Sequence, residues 1–406
     1  MTSVVTSHTT LPLVKTLPVV ETSRRRVSHP HAVDRHKPAG PPAEGMLEID
    51  GSAGGGQLLR TALALSALTD TPFRMTDVRG DRPTPGLKAQ HAACVRAAAA
   101  VADAEVEGGA VGDDAVTFEP DAVTGGGYAV AVDTAGSLTL VFETVLPLAV
   151  AAETPITLRA TGGTDVAWSP PLDYLRRVKL PLLARHGLLA RVEAERRGFY
   201  PAGDGAARLT LAPSSLDRID LREPVGPERI GGVRVFAAAS ADLAETDAAE
   251  RLAATAAEEL RNDGHEIAAR VASYGPASST GAVVTIRVDA PENGGAEAEA
   301  APDAATPAAR PTAGVSALGE PGTPAEATAR EAVDRFRRFR DGPGAVDRHL
   351  ADQLVLPVAL AGGVVAAPTV TDHLASCAAL VERFGIGVDC EERASGGALV
   401  RADGLR

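Results

Sequence analysis

The chain of 406 residues is long enough for two domains, and a content of 45% apolar but only 3% aromatic residues indicates a core of Ala, Val and Leu. No run of about 18 apolar residues occurs, so we expect no membrane-spanning helix. Three cysteines, Cys94, Cys377 and Cys390, lack metal-ligand spacing and are typical of a protein from the reducing cytoplasm. The net charge of −13 argues against a nucleic-acid partner unless arginines gather locally.

Residues 1–45 differ from the rest of the chain. They contain four of the nine histidines, a basic triplet at residues 24–26 and several prolines, without sustained periodicity. We interpret this segment as a disordered tail, or as the result of a start site placed ahead of a natural beginning at Met46; a basic arm that contacts RNA is the alternative.

A pattern of elements begins at Met46 and then returns. Strand, glycine-rich turn, helix, strand, helix and hairpin follow one another up to residue 119, and the same order recurs between residues 128 and 211. The first copy is predicted as strand 47–50, helix 57–68, strand 73–79 and helix 85–102. Two helices (348–361 and 372–384) and a hairpin near the C-terminus indicate parts of a third copy.

The segment between the second and third copies does not repeat this order of elements. We predict that residues 216–335 form a small inserted α/β domain, and that its stretch 291–312, which is almost wholly Ala, Glu, Pro, Gly, Asp and Thr, is a disordered acidic loop. The predicted fold class is therefore α/β, with three repeated βαβαββ-type units in one large domain (46–215 and 336–406) and a smaller inserted domain.

The first motif with chemical potential is IDGSAGGGQLLRTALALS, residues 49–66. Three consecutive glycines between a strand and a helix let the backbone approach an anion, toward which the helix directs its free N–H groups. Arg60 lies one turn into that helix, near enough to supply a charge. A plain glycine turn is the alternative, because the string is neither a P-loop nor a dinucleotide-binding fingerprint.

The second motif is VRGDRPTPGLKAQHAA, residues 78–93. Arg79 and Arg82 lie at the end of a predicted strand, and two prolines stiffen the chain that follows. Arginines three residues apart on a constrained loop suit forked contacts with phosphate oxygens, although a solvated surface turn fits the same residues. Gln90 and His91 fall in the next helix.

The third motif, DTAGSLTLVFETVLP (133–147), is a small-residue turn that opens an apolar helix. Glu143 stands among apolar residues there, so its carboxylate either reaches the helix edge or has a partner such as a metal or a ligand.

The fourth motif consists of DRHLADQLVLPVALAGG (347–363) and TDHLASCAALVERFG (371–385). His349, Asp352 and Gln353 share one face of a predicted helix. His373 begins the next helix, where the helix dipole favours a neutral imidazole with a ring nitrogen free as a nucleophile. A capping or surface histidine is the alternative.

Together and in this order, the four motifs resemble the RNA 3'-terminal phosphate cyclase family. The strings GGTDVAWSPPLDYLRR (162–177), GFYPAGDG (198–205) and PGLKAQH also match it. The resemblance covers about residues 46–215 and 336–406. It implies three α/β repeats with an inserted smaller domain, an ATP-dependent enzyme, and an RNA with a 3'-terminal phosphate as its substrate.

The resemblance also implies roles for single residues. His373 matches the histidine that attacks the α-phosphate of ATP and carries AMP as a phosphoramidate. The adenylate-binding segment of the family matches His349, Leu350, Ala351, Asp352 and Gln353. The polar side chains around the phosphates match Arg60, Arg79, Arg82 and Gln90. AMP then passes to the RNA 3'-phosphate, and the neighbouring 2'-OH closes a 2',3'-cyclic phosphate, with Mg²⁺ or Mn²⁺ as the implied metal.

Two departures from the family pattern concern the metal. The usual loop DGxxGEGGGQ contains a glutamate that helps to hold it, whereas this chain reads DGSAGGGQ, two residues shorter and without that glutamate. Glu143 stands where the family has glutamine. We therefore include Glu143 among the residues expected to bind the nucleotide, and we hypothesise that it binds the metal in place of the missing glutamate.

Two other classes of protein are compatible with parts of the sequence. Relatives of the cyclases that act in ribosome assembly keep the fold without the catalytic histidine; His373 argues against such an RNA-binding scaffold, and the shortened glycine loop argues for it. Enolpyruvyl transferases share the repeated α/β unit, but the HLADQ and GFYP strings have no place in them.

Overall fold

The computed structural model of the protein describes residues 45–291 and 310–405. The predicted tail (1–45) and acidic loop (291–312) therefore lie almost entirely outside the described residues. Within the described part of the chain, no helix is both long enough and apolar enough to cross a bilayer.

The first repeat forms a four-stranded sheet of order β1-β2-β4-β3. Strands β1 and β2 are parallel, and the other two pairings are antiparallel. The elements in chain order are β1 (Leu47–Asp50), α1 (Gly56–Thr69), β2 (Phe73–Thr76), α2 (Ala89–Val101), β3 (Glu105–Gly108) and β4 (Val116–Glu119).

The second repeat has the same topology, with sheet order β5-β6-β8-β7 and one parallel pair, β5 and β6. The strands are β5 (Gly126–Ala131), β6 (Ile156–Gly162), β7 (Ala190–Arg196) and β8 (Gly205–Leu211). The helices are α3 (Leu138–Val145), which continues as a 3₁₀ turn (Leu146–Val150), and α4 (Leu172–Tyr174), which continues through a π-helical turn (Leu175–Lys179) into α5 (Leu180–Ala184).

A short strand, β9 (Ile219–Leu221), follows the second repeat, and a separate sheet comes after it. That sheet has the order β11-β10-β12-β13 and carries two helices with a hydrophobic core of their own. Its elements are a 3₁₀ turn (Pro227–Arg229), β10 (Gly232–Ser240), a 3₁₀ turn (Ala241–Thr246), α6 (Ala248–Asn262), β11 (Ile267–Gly275), β12 (Ala282–Ala290), β13 (Arg310–Gly319) and α7 (Ala325–Arg340).

The third repeat is completed after the inserted sheet. Its remaining elements are α8 (Arg348–Ala361), β14 (Gly363–Ala367), α9 (Asp372–Arg383), β15 (Val388–Glu392) and β16 (Ala398–Ala402). Strand β9 pairs in parallel with β14, which gives the sheet order β15-β16-β14-β9 and the same βαβαββ topology as in the first two repeats. The insertion thus separates the first strand of the third repeat from its first helix.

Two predicted boundaries in the second motif are wrong for a local reason. The strand predicted as 73–79 ends at Thr76, because Asp77 and Arg79 have the positive φ angles of 50° and 59°. The helix predicted as 85–102 begins only at Ala89. Between them lies an irregular loop, in which Arg79 Nη1 donates to the carbonyl oxygens of Thr84 and Gly86, both at 2.8 Å.

The three repeats share one hydrophobic core. Helix α1 contacts α2, α3 and α9, and α8 contacts α9, so the helices of all three units pack against one another. Fully buried side chains from each repeat, such as Leu63, Phe142 and Leu374, belong to this core. The packing brings the first turns of helices from different repeats to one place.

Candidate active site

The N-terminal turns of four helices line a cavity of about 1080 Å³. Gly56 and Gln57 belong to α1, Gln90 and His91 to α2, His349 to α8 and His373 to α9. Free N–H groups and the helix dipole make each such terminus attractive to anions. Four of them around one cavity make it suited to a phosphorylated ligand.

The glycine loop before α1 is enclosed by side chains from other segments. A methyl group at Gly55 would lie 3.6 Å from both Arg82 Nη2 and His373 Cε1. A methyl group at Gly56 would lie only 2.2 Å from His91 Nε2 and 3.1 Å from Arg60 Nη1. Gly55 therefore lies between a histidine and an arginine with clearance for a methyl group, whereas Gly56 has none.

His373 is exposed, and hydrogen bonds between two helices fix the turn that carries it. Thr371 caps α9, since its Oγ1 accepts from Leu374 N at 2.9 Å. The same hydroxyl donates to Asp352 Oδ1 of α8 at 2.5 Å. Burial raises the pKa of Asp352, while the Thr371 hydroxyl and the nearby imidazole of His373 act in the opposite direction. Asp352 thus both positions the start of α9 and adds acceptor character beside His373.

His91 is a neutral donor next to the glycine loop. Its ring is 5% exposed, and burial, assisted by the cations Arg60, Arg79 and Lys88, lowers its pKa to about 3. Its Nδ1 accepts from Lys88 N at 3.1 Å, so the proton of the neutral ring lies on Nε2. That N–H faces Gly56 and lies within the cavity lining.

Helix α8 is fixed by a buried carboxylate. Asp347 Oδ1 accepts from His349 N and Leu350 N, while Oδ2 accepts from Tyr174 OH at 2.5 Å and from Gly314 N at 3.3 Å. Burial raises the pKa of Asp347. The carboxylate therefore joins the third repeat to the second repeat and to β13 of the inserted sheet.

The five consecutive residues expected to bind adenylate divide between two faces of α8. Asp352, His349 and Gln353 line the cavity, and the buried Oε1 of Gln353 has no hydrogen-bond partner among the described residues, so it is available to a ligand N–H or O–H. Leu350 and Ala351 point instead into the hydrophobic core. Their positions in the helix period place them on its inner face, where they hold the helix in place.

The four polar residues expected near the phosphates are also placed differently. Arg60 and Gln90 line the cavity, and Gln90 Oε1 accepts from Ser137 N at 3.0 Å, which leaves its amide NH₂ for a ligand. Arg82 is exposed beside Gly55. Arg79 lies outside the cavity lining and is 8% exposed, and its hydrogen bonds to backbone carbonyls hold the loop that presents Arg82.

Glu143 lines the cavity and has a partner. Lys179 Nζ lies 2.7 Å from Glu143 Oε1, with side-chain exposures of 5% and 10%. Lys179 ends the π-helical turn that follows α4, a feature often found at functional sites. The sequence did not reveal this ion pair, because its two residues lie in different helices.

Cysteine chemistry is disfavoured in the cavity. Cys377 lines it, but the residue is buried, and burial raises its pKa to about 11. Its Sγ lies 3.5 Å from Thr61 Oγ1, a contact that ties α9 to α1. The exposed nucleophile in this lining is therefore an imidazole, and the candidates are His373 and His349.

The structure thus combines three α/β repeats, a cavity lined by helix N-termini and an exposed histidine beside a glycine loop. The family model described as RNA 3'-terminal phosphate cyclase matches residues 52–389, and the chain belongs to that family.

Several curated relatives are similar to the chain over most of its length. The RNA 3'-terminal phosphate cyclase of Halobacterium salinarum (strain ATCC 29341 / DSM 671 / R1) is 43% identical over 368 residues, which are 88% of this chain and 100% of the relative. The proteins of the same name from Ralstonia nicotianae and Pyrobaculum neutrophilum are each 38% identical over 83% of this chain, and the matches cover 91% and 92% of those relatives.

Proposed function

We propose that this protein converts the 3'-terminal phosphate of RNA into a 2',3'-cyclic phosphate at the expense of ATP, through an adenylylated His373. The observation that carries the proposal is the placement of the exposed His373 against the glycine loop, with Arg82 beside the same glycine. Family membership and the name of the relatives support the enzyme, and nothing in them favours the scaffold alternative.

In the first step, a ring nitrogen of His373 attacks the α-phosphorus of ATP. A P–N bond forms, the bond to the bridging oxygen breaks, and pyrophosphate leaves while the imidazole loses its proton. We assign the binding of phosphate oxygens to Arg60, to the Nε2–H of His91 and to the N-terminus of α1, which line the cavity. Arg82 lies outside that lining but beside Gly55, as His373 does, and we assign to it the charge of the phosphoryl group under attack. Covalent catalysis of this kind divides one difficult substitution into easier ones.

In the second step, an oxygen of the RNA 3'-phosphate attacks the α-phosphorus, so that the P–N bond breaks and His373 is regenerated. In the third step, the adjacent 2'-OH attacks the activated 3'-phosphorus, loses its proton and releases AMP. The apolar part of the cavity, which includes Leu183, Leu188 and Leu360, offers a place for adenine, and the orphan Oε1 of Gln353 offers an acceptor for a donor of the nucleotide.

A divalent ion, Mg²⁺ or Mn²⁺, belongs to the proposal as a companion of the ATP phosphates. The described residues contain no group of three or more His, Cys, Asp or Glu that could hold an ion alone, but Mg²⁺ is often bound by one carboxylate together with substrate phosphates. Glu143 is the carboxylate we assign, and it would exchange its ion pair with Lys179 for the metal. The ion would spread charge on the transferring phosphoryl group.

The metal assignment has its own test. Glu143→Gln should raise the Mg²⁺ concentration that half-saturates adenylylation of the protein, whereas an unchanged requirement would remove Glu143 from the metal site. The three cysteines are free thiols, which supports the cytoplasm as the compartment in which we place the reaction.

The function is tested with a short labelled RNA that ends in a 3'-phosphate. In the presence of ATP and Mg²⁺ or Mn²⁺, the wild-type protein should make the label resistant to phosphatase, whereas the His373→Ala variant should not. An otherwise identical RNA with a 2'-deoxy terminal nucleotide should not be cyclised. An RNA-binding scaffold would bind the RNA and leave its 3'-phosphate sensitive to phosphatase.

A further inference from the structure

Trp168 is the sole tryptophan of the chain, and it is fully exposed at the cavity. Its backbone has a φ angle of 66°, a left-handed conformation that is unusual for a bulky residue and is enriched at active sites and ligand-binding sites. A large aromatic side chain that is fully exposed to water also lacks the hydrophobic stabilisation that such a residue usually provides when it is buried. Both features indicate a binding role.

The loop that carries Trp168 is firmly anchored on both sides. Ser169 Oγ donates to Val166 O at 3.0 Å, and Thr139 Oγ1 donates to Pro170 O at 2.8 Å. The preceding Asp165 is buried and forms an ion pair with Arg197 at 3.0 Å. The indole is therefore presented to solvent by a rigid support, and a ligand that stacks on it has little loop ordering to overcome.

Unpaired positive charge lies on the same cavity. Arg338 of α7 and Arg348 of α8 are exposed and line it, and neither guanidinium has a hydrogen bond or an ion pair within the described residues, although the charge of Arg348 acts on Asp352. Arg335 also lines it, but donates to Ser316 O and is paired with Glu331. Besides Glu331, the acidic residue Glu320 also lines the cavity. Helix α7, which packs on the inserted sheet, thus contributes a guanidinium without an ion pair to a cavity that the repeats and the inserted sheet line together.

We propose that Trp168 stacks on a base at the 3' end of the RNA, and that Arg338 of α7 binds a backbone phosphate of the same strand. This inference rests on the proposed function and assigns the RNA to the part of the cavity lined by Trp168 and Arg338. Proteins read single-stranded RNA ends by stacking bases on aromatic side chains and by binding phosphates with arginine. The fully exposed indole suits a strand that enters from solvent, whereas the buried leucines of the lining suit adenine.

The single tryptophan permits a direct test that does not depend on turnover. Titration of the wild-type protein with 3'-phosphorylated RNA in the absence of ATP should quench the tryptophan fluorescence, and an RNA with abasic sites at its last two positions should quench much less. Equal quenching by both RNAs, or no quenching by an RNA that the protein cyclises, would overturn the stacking assignment.

Kinetics supply the second test. Trp168→Ala should raise the KM for RNA by roughly tenfold, Trp168→Phe should restore most of the loss, and the rate of adenylylation by ATP without RNA should stay unchanged. Tyr200→Ala, which removes an exposed aromatic residue outside the cavity lining, is the matched control and should keep the wild-type KM. A change in the KM for ATP instead of RNA would assign the indole to the nucleotide and refute the inference.

Arg338 is tested by the salt dependence of RNA binding. Arg338→Ala should reduce the slope of log affinity against log salt by roughly 0.7, the value for one contact to a single strand. Arg270→Ala changes an exposed arginine of the same inserted sheet outside the cavity lining and should leave the slope unchanged. Equal slopes for the two variants would refute the phosphate contact. If the wild-type protein fails to cyclise RNA, the proposed function fails, while the fluorescence and salt titrations still decide this inference.

Discussion

The neutral state of His91 should make the stability of the protein depend on pH. Its pKa is lowered from 6.5 to about 3 in the folded protein, by burial first and then by Arg60, Arg79 and Lys88. At pH values between these two pKa values, the imidazole is therefore protonated in the unfolded chain and neutral in the folded protein. The stabilising contribution is complete above pH 6.5 and is lost progressively as the pH falls toward 3.

The magnitude follows from the two pKa values. Between about pH 8 and about pH 5, the difference in protonation should lower the free energy of unfolding by about 2 kcal/mol. His91→Gln removes the titrating group and keeps an acceptor for Lys88 N, because glutamine is a usual partner at this position of a capping box. Over the same pH range, the free energy of unfolding of the variant should therefore fall by about 2 kcal/mol less than that of the wild-type protein.

The assay is urea unfolding of both proteins at several pH values and constant ionic strength. All other titrating groups are common to the two proteins, so the difference between their pH profiles isolates His91. Parallel profiles would refute the reasoning, since they would show that the imidazole titrates alike in the folded and unfolded chains.

Two further changes test the packing around the site, with urea unfolding as the measurement. Glu143→Gln should destabilise the protein by about 3 kcal/mol, because Lys179 is left buried without its counter-charge. The double variant Glu143→Leu/Lys179→Met should recover most of this loss, since it removes both charges. Equal losses in the single and the double variant would contradict the ion pair. Gly56→Ala should lower the free energy of unfolding by about 1–3 kcal/mol, because the added methyl group would displace the His91 ring. Gly55→Ala should lower it clearly less, since its methyl group would have 3.6 Å of clearance. The opposite order would contradict the packing of the glycine loop.

The helices of the third repeat were predictable because their starts are encoded locally. Asp347 and Thr371 are N-cap residues whose side chains accept from the first free N–H groups of α8 and α9, and such caps are visible in sequence. The predicted bounds of these helices, 348–361 and 372–384, agree with the structure to within one residue.

The first strand of the third repeat was not predictable in this way. Strand β9 has three residues, too few to show an alternating pattern, and its pairing partner β14 follows only after the whole inserted sheet. The symmetry of the three repeats becomes evident only from the pairing of Ile219 with Gly363.

The site was predictable residue by residue only in part. Arg60, Gln90, His349, Asp352 and His373 line the cavity, and the roles expected of them stay predictions. The sequence could not reveal the contacts that join distant segments, such as the pairing of Glu143 with Lys179 or the hydrogen bond from Thr371 to Asp352. Nor could it show that Leu350 and Ala351 pack in the hydrophobic core, because the family motif matches all five consecutive residues without distinguishing the faces of the helix.

The central claim is tested most directly by labelling the protein with ATP that carries a radioactive α-phosphate, in the presence of Mg²⁺ or Mn²⁺ and without RNA. Our account predicts an acid-labile label on the wild-type protein, as a phosphoramidate requires, and none on the His373→Ala variant. A label of equal strength on both proteins would place the covalent bond elsewhere. No label on the wild-type protein with either metal would contradict the covalent mechanism and favour a protein that binds RNA without chemistry.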